Sequence, residues 1–267
     1  MGPIRLLGRY FRASVHAQAQ YPGSLAMLSL GAFVANFVDV IAIAALFARF
    51  GQVKGWTFGE VAMFYGVVSV AFAFADFLSR GFDVLGTEFI RTGAFDRLLL
   101  RPRSLTVQLV GHDPRLSRVG RLAQGLAALA LATVALKFRW DASAVALAAW
   151  TVLGGVALFS GIFMLQATLA FWTVESLEVA NLLTYGGVQA AQFPLSLYAE
   201  WFRGVLIFIV PLGCVAYFPV VGLLGRHDPL GAPDWFLPLA PAAGFAFLAA
   251  ALAVWRVGVR HYTSTGS

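Results

Sequence analysis

Residues 24–48 read SLAMLSLGAFVANFVDVIAIAALFA, and Asp39 is the only charged residue among them. A helix needs about 20 mostly apolar residues to cross the hydrocarbon core of a bilayer, so this stretch predicts a transmembrane helix. The whole chain has the same character, since 60% of its 267 residues are hydrophobic, 12% are charged and the mean hydropathy is +0.78. These values lie far from those of soluble globular domains and predict an all-α integral membrane protein.

Further apolar stretches predict the other spans, and one stretch with unusual features sets their number at six. Residues 204–225 hold Pro211 and Pro219 and follow the preceding apolar stretch after only four residues, which favours a re-entrant segment that enters the membrane and returns. The third predicted span is short, and we expect Arg118 and Arg121 to lengthen it by snorkelling to the interface. Spans two to six are predicted at residues 56–78, 122–136, 142–174, 179–199 and 235–255.

The distribution of positive charge predicts which ends of the spans face the cytoplasm. With six spans, 13 of the 19 Lys and Arg residues fall on one side, namely before span one, in the loop 79–121 and after span six. The positive-inside rule makes that side cytoplasmic, so both termini are expected on the cytoplasmic side of the membrane. Trp56 and Trp255 are expected at the outer and inner interfaces. Residues 1–22 are predicted to form an amphipathic interfacial helix, and residues 1–267 a single membrane domain.

Several kinds of chemistry have no matching motif in the sequence. Neither lysine, Lys54 or Lys137, follows a glycine, so the Gly-Lys-Ser/Thr of a phosphate-binding loop is missing. The pattern His-Glu-x-x-His is missing as well, and Cys214 is the only cysteine. We therefore expect no enzymatic activity and no cofactor or metal held by this chain. We also expect no nucleic-acid partner, because cytoplasmic loops account for the excess positive charge.

Asn36 and Asp39 form the strongest polar signal within a predicted span. They lie three residues apart and so share one face of the first helix. A charged side chain near the middle of a bilayer costs at least about 2.5 kcal/mol on insertion scales, which suggests a role in a substrate path or a subunit interface. The alternative is that Asp39 pairs with another helix or is protonated. Asp76, one turn before Arg80, is interpreted as half of an ion pair at the cytoplasmic interface.

The loop of residues 79–121 is the longest stretch outside the predicted membrane segments. Phe82, Leu85 and Phe89 recur on one helical face, and charged residues lie away from that face, as in a helix on a membrane surface. Gly93 is expected to end this helix. Amphipathicity leaves two alternatives open, a tether between two spans or a helix that contacts a partner.

Part of this loop resembles a known signature. Residues 93–102 read GAFDRLLLRP and are similar to the Gly-x-Leu/Phe-Asp-x-x-Leu-Leu-x-Arg-Pro motif of bacterial ATP-binding-cassette (ABC) permeases of the second type. Asn181-Leu-Leu-Thr-Tyr185, Phe193-Pro194-Leu195 and Trp201-Phe-Arg203 resemble the end of the chain in those permeases. The similarity covers almost the whole chain and is strongest to a poorly characterised branch. Where many members have Asn-Pro in the re-entrant segment, this chain has Val210-Pro211.

The resemblance implies the permease subunit of an exporter in the cytoplasmic (inner) membrane of a bacterium. Such a subunit has six spans, a coupling helix between spans two and three, and re-entrant helices between spans five and six. It works with a second permease subunit, in a homodimer or a heterodimer, and with ATPase subunits that bind ATP and Mg²⁺, in contact with membrane lipid. Together with the polar face of the loop helix, the resemblance places the ATPase-coupling residues at Glu88, Arg91, Asp96, Arg97, Arg101 and Pro102.

Two other functions are weighed against this one. A solitary secondary transporter is favoured only by Asp39 and would work without a partner. An intramembrane enzyme would need a nucleophile or metal constellation, which the sequence does not show. The substrate stays undetermined, because the family handles lipids, glycan precursors, drugs and peptides.

Overall fold

The computed structural model describes residues 3–173 and 182–263, and these residues are mostly helical and contain no β-strand. The predicted all-α architecture is thereby confirmed. In chain order the α-helices are α1 (Pro3–Ala19), α2 (Pro22–Phe50), α3 (Phe58–Leu78), α4 (Arg80–Asp83), α5 (Ala94–Leu99), α6 (Leu105–Val110), α7 (Val119–Leu136), α8 (Ala142–Leu169), α9 (Gly187–Ala191), α10 (Glu200–Gly204), α11 (Leu212–Val215), α12 (Tyr217–Leu223) and α13 (Ala242–His261). Short π-helical or 3-10 runs adjoin them at Leu85–Ile90, Leu116–Arg118, Leu182–Gly186, Leu195–Leu197 and Val205–Ile209.

Among the described residues, five helices are long and apolar enough to cross a membrane: α2, α3, α7 with the turn before it, α8 and α13. A sixth candidate is the bent pair Glu200–Ile209 and Leu212–Leu223, whose halves meet at 75° around Pro211. The predicted fifth span, 179–199, begins outside the described residues and continues as helix only through Ala191. The six-span layout and the re-entrant segment therefore stay predictions.

The long helix α3 lies at the centre of the bundle. In its most apolar window 83% of the residues are buried, against 17% for α2. α3 packs against α7, α8 and α9, whereas α2 contacts the bundle mainly along α7. The outer face of α2 is left uncovered and exposes Met27, Leu30 and Val38.

Small residues bring α8 and α13 into close contact. A Cβ atom added at Gly244 would lie only 2.1 Å from the carbonyl oxygen of Gly154, well inside van der Waals contact. Because glycine has no side chain, it lets two membrane helices approach until their backbones are in contact. The crossing therefore depends on glycine at position 244.

The ends of two helices differ from the predicted spans. α13 begins at Ala242 instead of residue 235, because Pro238 and Pro241 precede it and proline is tolerated only in the first turn of a helix. α8 begins as predicted, after Asp141 caps it by accepting a hydrogen bond from the Ala144 amide at 2.7 Å. That bond holds the pKa of Asp141 below its usual value. α8 ends at Leu169, before the predicted end at residue 174, because residues 170–173 are no longer helical; residue 174 itself lies outside the described residues.

Two tryptophans do not occupy the interfacial positions predicted for them. Trp56 and Trp255 are 1% and 3% exposed, so both rings lie inside the protein and not at a membrane surface. Trp56 donates a hydrogen bond from Nε1 to Ser196 Oγ at 2.8 Å. Position along a span therefore did not predict the direction in which these rings point.

Candidate functional site

A polar cavity of about 70 Å³ lies between α2, α3, α7 and the helical stretch that contains α9. Asn36 and Asp39, near the middle of α2, reach this cavity, as the sequence analysis anticipated for a pair on one helical face. Most of the groups they meet there are polar, although the surrounding helices are apolar. The full lining consists of Asn36, Asp39, Tyr65, Ser69, Phe72, Arg121, Gln124, Tyr185, Val188, Gln189 and Gln192.

Hydrogen bonds satisfy some of the polar groups around the cavity. Tyr65 donates from its hydroxyl to the carbonyl oxygen of Asn36 at 3.1 Å, and Gln192 donates from Nε2 to Ser69 Oγ at 3.1 Å. The Nε2 of Gln124 is buried and has no hydrogen-bond partner among the described residues. An unsatisfied buried donor costs about 1–3 kcal/mol. The cavity has room for about two water molecules, so water or a ligand group can accept this bond.

Asp39 lies at the rim of the cavity, on the sparsely covered helix α2, and its side chain is exposed on the isolated chain. None of the ion pairs between residues that the structure describes includes Asp39. For the alternative that Asp39 pairs with another helix, the described residues supply a polar neighbour in the Tyr65 hydroxyl of α3 but no cation. A carboxylate at membrane depth is available either to a substrate or to a second subunit that covers α2.

A buried ion cluster adjoins the cavity and was missed by sequence reasoning. Both Arg118 and Arg121 direct Nη1 at Oδ2 of Asp76, and the Arg121 contact measures 3.1 Å. The carboxylate is fully buried, while each arginine side chain keeps about a fifth of its surface exposed. The guanidinium of Arg121 also lies 5.0 Å from the ring centre of Phe72. The cluster ties α3 to α7 and has one net positive charge.

This cluster corrects two predictions. Asp76 forms an ion pair, but Arg80 is not its partner, because Arg80 instead pairs with Asp83 at 2.7 Å. The third span does extend over Arg118 and Arg121, since its apolar helix runs from Leu116 to Leu136, but both arginines turn inward to Asp76 and do not snorkel. The physical reason is that α3 and α7 lie side by side, and a buried carboxylate next to this contact needs a cationic partner. The spacing of three residues between Arg118, directly before α7, and Arg121, in its first turn, was a usable signal for this contact.

The apolar face of the loop 79–121 is buried inside the protein. Phe82 packs edge-on against Trp255 of α13, with ring centres 5.3 Å apart, and Phe89 packs against His112 at 4.7 Å. The expectation of a helix lying on the membrane surface is therefore wrong, since amphipathicity does not say what the apolar face meets. The helical run ends at Ile90, three residues before the predicted Gly93, and Gly93 adopts φ +69°, in the left-handed region that glycine favours, directly before α5.

The predicted ATPase-coupling residues lie on the outer side of this loop. Glu88, Arg91, Arg97, Arg101 and Pro102 are exposed, and Asp96 is half-buried in the first turn of α5. Glu88 approaches His112 at 3.4 Å and Arg80 at 3.8 Å.

Buried rings hold α5 in place beneath that polar surface. The ring of Phe95 packs 4.8 Å from Tyr262 and 5.3 Å from Phe171, which follow α13 and α8 respectively. The polar surface is thus attached to the ends of two long helices.

The family model described as ABC-2 family transporter protein matches residues 33–266 of this chain. The chain belongs to the ABC-2 transporter family. It is therefore a multi-pass membrane permease of an ABC transporter, in agreement with the resemblance of residues 93–102. A comparison with curated proteins and with solved structures finds no match. Within residues 3–173 and 182–263 of this ABC-2 permease, no group of three His, Cys, Asp or Glu residues could hold a metal ion.

The N-terminal helix of the ABC-2 permease packs on the loop 79–121. Gln18 donates from Nε2 to the carbonyl oxygen of Pro114 at 2.8 Å and accepts a bond from the Leu116 amide, also at 2.8 Å. Phe11 stacks on Phe77 at 5.5 Å. α1 therefore stabilises the loop that leads into α7.

A second polar cluster of the ABC-2 permease lies next to the start of α3, at the end of this helix opposite to Asp76. Arg226 pairs with Glu60 at 2.6 Å, and its guanidinium lies 4.6 Å above the ring of Trp56. Nearby, Tyr217 donates to Asp228 Oδ1 at 2.6 Å. These contacts fasten the end of α12 and the loop after it to α3, and no short-range sequence pattern predicted them.

Proposed function

We propose that this chain is the membrane-spanning subunit of a bacterial ABC exporter and that separate ATPase subunits bind and hydrolyse ATP for it. The observation that carries the proposal is the loop 79–121, which exposes charged residues on elements that are fastened by buried aromatic rings to α8 and α13. Membership of the ABC-2 family supports the same assignment. The chain itself would contribute the substrate path and the contact surface for the ATPases.

Coupling would run from the exposed residues of the loop to the long helices. Closure of the ATPases on ATP would push Glu88, Arg91 and Arg97, and the packing of Phe82 on Trp255 and of Phe95 on its neighbours would pass this displacement to α13 and α8. A change between two packed arrangements of rigid helices is a common form of switching. The loop is therefore assigned a transmitting role.

The polar cavity supports a substrate path along α2. A second permease subunit, identical or different, would cover the exposed face of α2 and place Asp39 at the boundary between subunits. In this arrangement both termini and residues 79–121 are cytoplasmic, and residues 204–225 enter the membrane and return. The 75° bend around Pro211 supports the re-entrant part of this layout.

A solitary secondary transporter is the second candidate. It is favoured by the same cavity, because Asp39 and the amide of Gln124 would suit a site for a coupling ion or proton. The two candidates differ in whether the loop 79–121 binds a nucleotide-hydrolysing partner.

Site-directed cross-linking tests that difference. A photoreactive residue at position 91, on the exposed side of the loop, should form an adduct with an ATPase subunit in cells. The same residue at position 139, an exposed site at the other end of α7, serves as the matched control and should give no such adduct. Equal labelling from both positions, or no ATPase adduct from position 91, would argue against the proposed coupling surface.

A further inference from the structure

A groove of about 350 Å³ lies where the last turns of α13 pass the start of α6. Arg256 and Arg260 line it from α13, and Ser104 and Thr106 line it from the other side. Leu252 continues the groove one turn along α13, away from the arginines. The groove therefore combines two guanidinium groups and two hydroxyl groups with an apolar extension.

The charged residues that line this groove are both positive. Arg256 and Arg260 are one helical turn apart and so lie on the same face of α13, and both are exposed. The groove has no acidic residue in its lining. Neither arginine takes part in an ion pair with another described residue of the chain. The groove thus presents two positive side chains whose Cβ atoms lie about 6 Å apart and whose charges no described residue compensates.

The depth of the groove follows from the length of α13. A helix of 20 residues is about 30 Å long, which matches the hydrocarbon thickness of a bilayer. Arg256 and Arg260 occupy its last two turns and therefore lie at the level of the lipid headgroups, whichever side of the membrane this end faces. Leu252 and the exposed Val257 lie beside them, where acyl chains begin.

We propose that this groove binds an anionic phospholipid, with the headgroup phosphate held by Arg256 and Arg260 and an acyl chain running along Leu252. Guanidinium groups recognise phosphate oxygens through paired, charge-assisted hydrogen bonds, and the hydroxyls of Ser104 and Thr106 can donate further bonds to the same oxygens. The site needs only that the chain lies in a membrane, so it is independent of the proposed export function.

The site has a structural link to the loop 79–121. Trp255 lies between Leu252 and Arg256 in the sequence, is buried, and packs on Phe82. A lipid bound in the groove would therefore contact the helix segment against which the loop rests. Its occupancy would stabilise the position of α13 relative to the loop.

Native mass spectrometry of the purified full-length protein tests the proposal. Phosphatidylglycerol and phosphatidylcholine with identical acyl chains are the probes, because they differ in net headgroup charge. We expect phosphatidylglycerol to bind in preference, and Arg256→Gln/Arg260→Gln to weaken its binding about 30-fold, as two basic residues near a lipid surface would. Arg49→Gln/Arg139→Gln removes the same charge from exposed sites away from the groove and should leave binding unchanged.

Four outcomes of the main experiment would overturn the proposal. They are equal binding of the two lipids, undiminished phosphatidylglycerol binding in the groove variant, an equal loss in the control variant, and displacement of the lipid by millimolar inorganic phosphate. The last outcome would show that the groove takes free phosphate and not a lipid. If the groove variant does not fold, Arg256→Lys/Arg260→Lys keeps the charge and should retain most of the lipid binding, with a reduction from the lost paired bonds. Complete loss of binding in a folded lysine variant would also count against the charge-based site.

Discussion

Removing the carboxylate of Asp76 should destabilise the protein more than removing any exposed carboxylate of the loop. Asp76→Asn keeps the shape of the side chain but leaves Arg118 and Arg121 without their anionic partner. Loss of one partner from a buried ion pair typically costs about 3–5 kcal/mol. Both arginines keep about a fifth of their surface exposed and can turn towards headgroups, so we expect a cost of about 2–3 kcal/mol.

The matched control for this change is Asp113→Asn. Asp113 pairs with Arg115 at 2.9 Å, but about half of each side chain is exposed. An exposed pair contributes about 0–1 kcal/mol, so this variant should unfold almost like the wild type. The two variants carry the same chemical change, at a fully buried carboxylate in a helix and at an exposed carboxylate in a loop.

The free energy of unfolding, measured by denaturant titration of the detergent-solubilised protein, distinguishes these expectations. Adding Arg118→Gln to Asp76→Asn should restore part of the loss, because the second change removes an uncompensated charge. The coupling energy between the two sites should then exceed about 0.5 kcal/mol. If Asp76→Asn lowers stability no more than Asp113→Asn does, the cluster does not tie α3 to α7 and the reasoning is refuted.

Three further predictions concern the loop, the cavity and the crossing of α8 with α13. Glu88→Ala/Arg91→Ala should express at normal levels, with a stability cost of less than about 1 kcal/mol. In a pull-down titration this variant should bind the ATPase at least about fivefold more weakly. Binding at the wild-type level would mean that the loop is only a tether between two spans. Asp39→Asn should impair either transport or subunit assembly, and a variant normal in both assays would remove Asp39 from the functional site. Gly244→Ala should lower the yield of folded protein, because the added methyl group would clash with α8. The control Gly31→Ala, in open space on α2, should not lower it. Equal yields of the two variants would contradict the close crossing of α8 and α13.

Apolar stretches predicted the long helices well because spanning a bilayer requires about 20 apolar residues whatever the tertiary structure. The first three predicted spans agree with α2, α3 and α7 to within a few residues. At the start of the last span the apolar stretch predicted an earlier helix start than the prolines allow, and α13 begins only after Pro241. That correction was available from the sequence, since proline cannot occupy the interior of a regular helix.

The directions of side chains were harder to predict than the positions of helices. Trp56 and Trp255 have the chemistry of interfacial anchors, yet both point into the bundle, and Phe82 faces α13 instead of lipid. Hydrophobicity favours removal from water in either case and does not distinguish a protein interior from a membrane. Contacts such as those of Arg118 with Asp76 also join residues far apart in the chain, so they depend on how the helices pack.

The polar cavity was predicted only in part. Asn36 and Asp39 were recognised because polar residues are rare in a spanning segment. Gln124 and Gln192 were not, since an amide in an apolar helix does not indicate which neighbour it will face. Their convergence with Tyr65 follows from the packing of α2, α7 and α9 around α3.

Purification of the permease from its native membrane in a mild detergent tests the central claim most directly. The account predicts that an ATPase subunit is recovered with the chain in a stable ratio, and that the complex hydrolyses ATP. Glu88→Ala/Arg91→Ala should reduce the recovered ATPase while leaving the amount of folded permease unchanged. A folded, fully assembled permease isolated without any ATP-hydrolysing partner, and with transport that continues in vesicles depleted of ATP, would contradict the account.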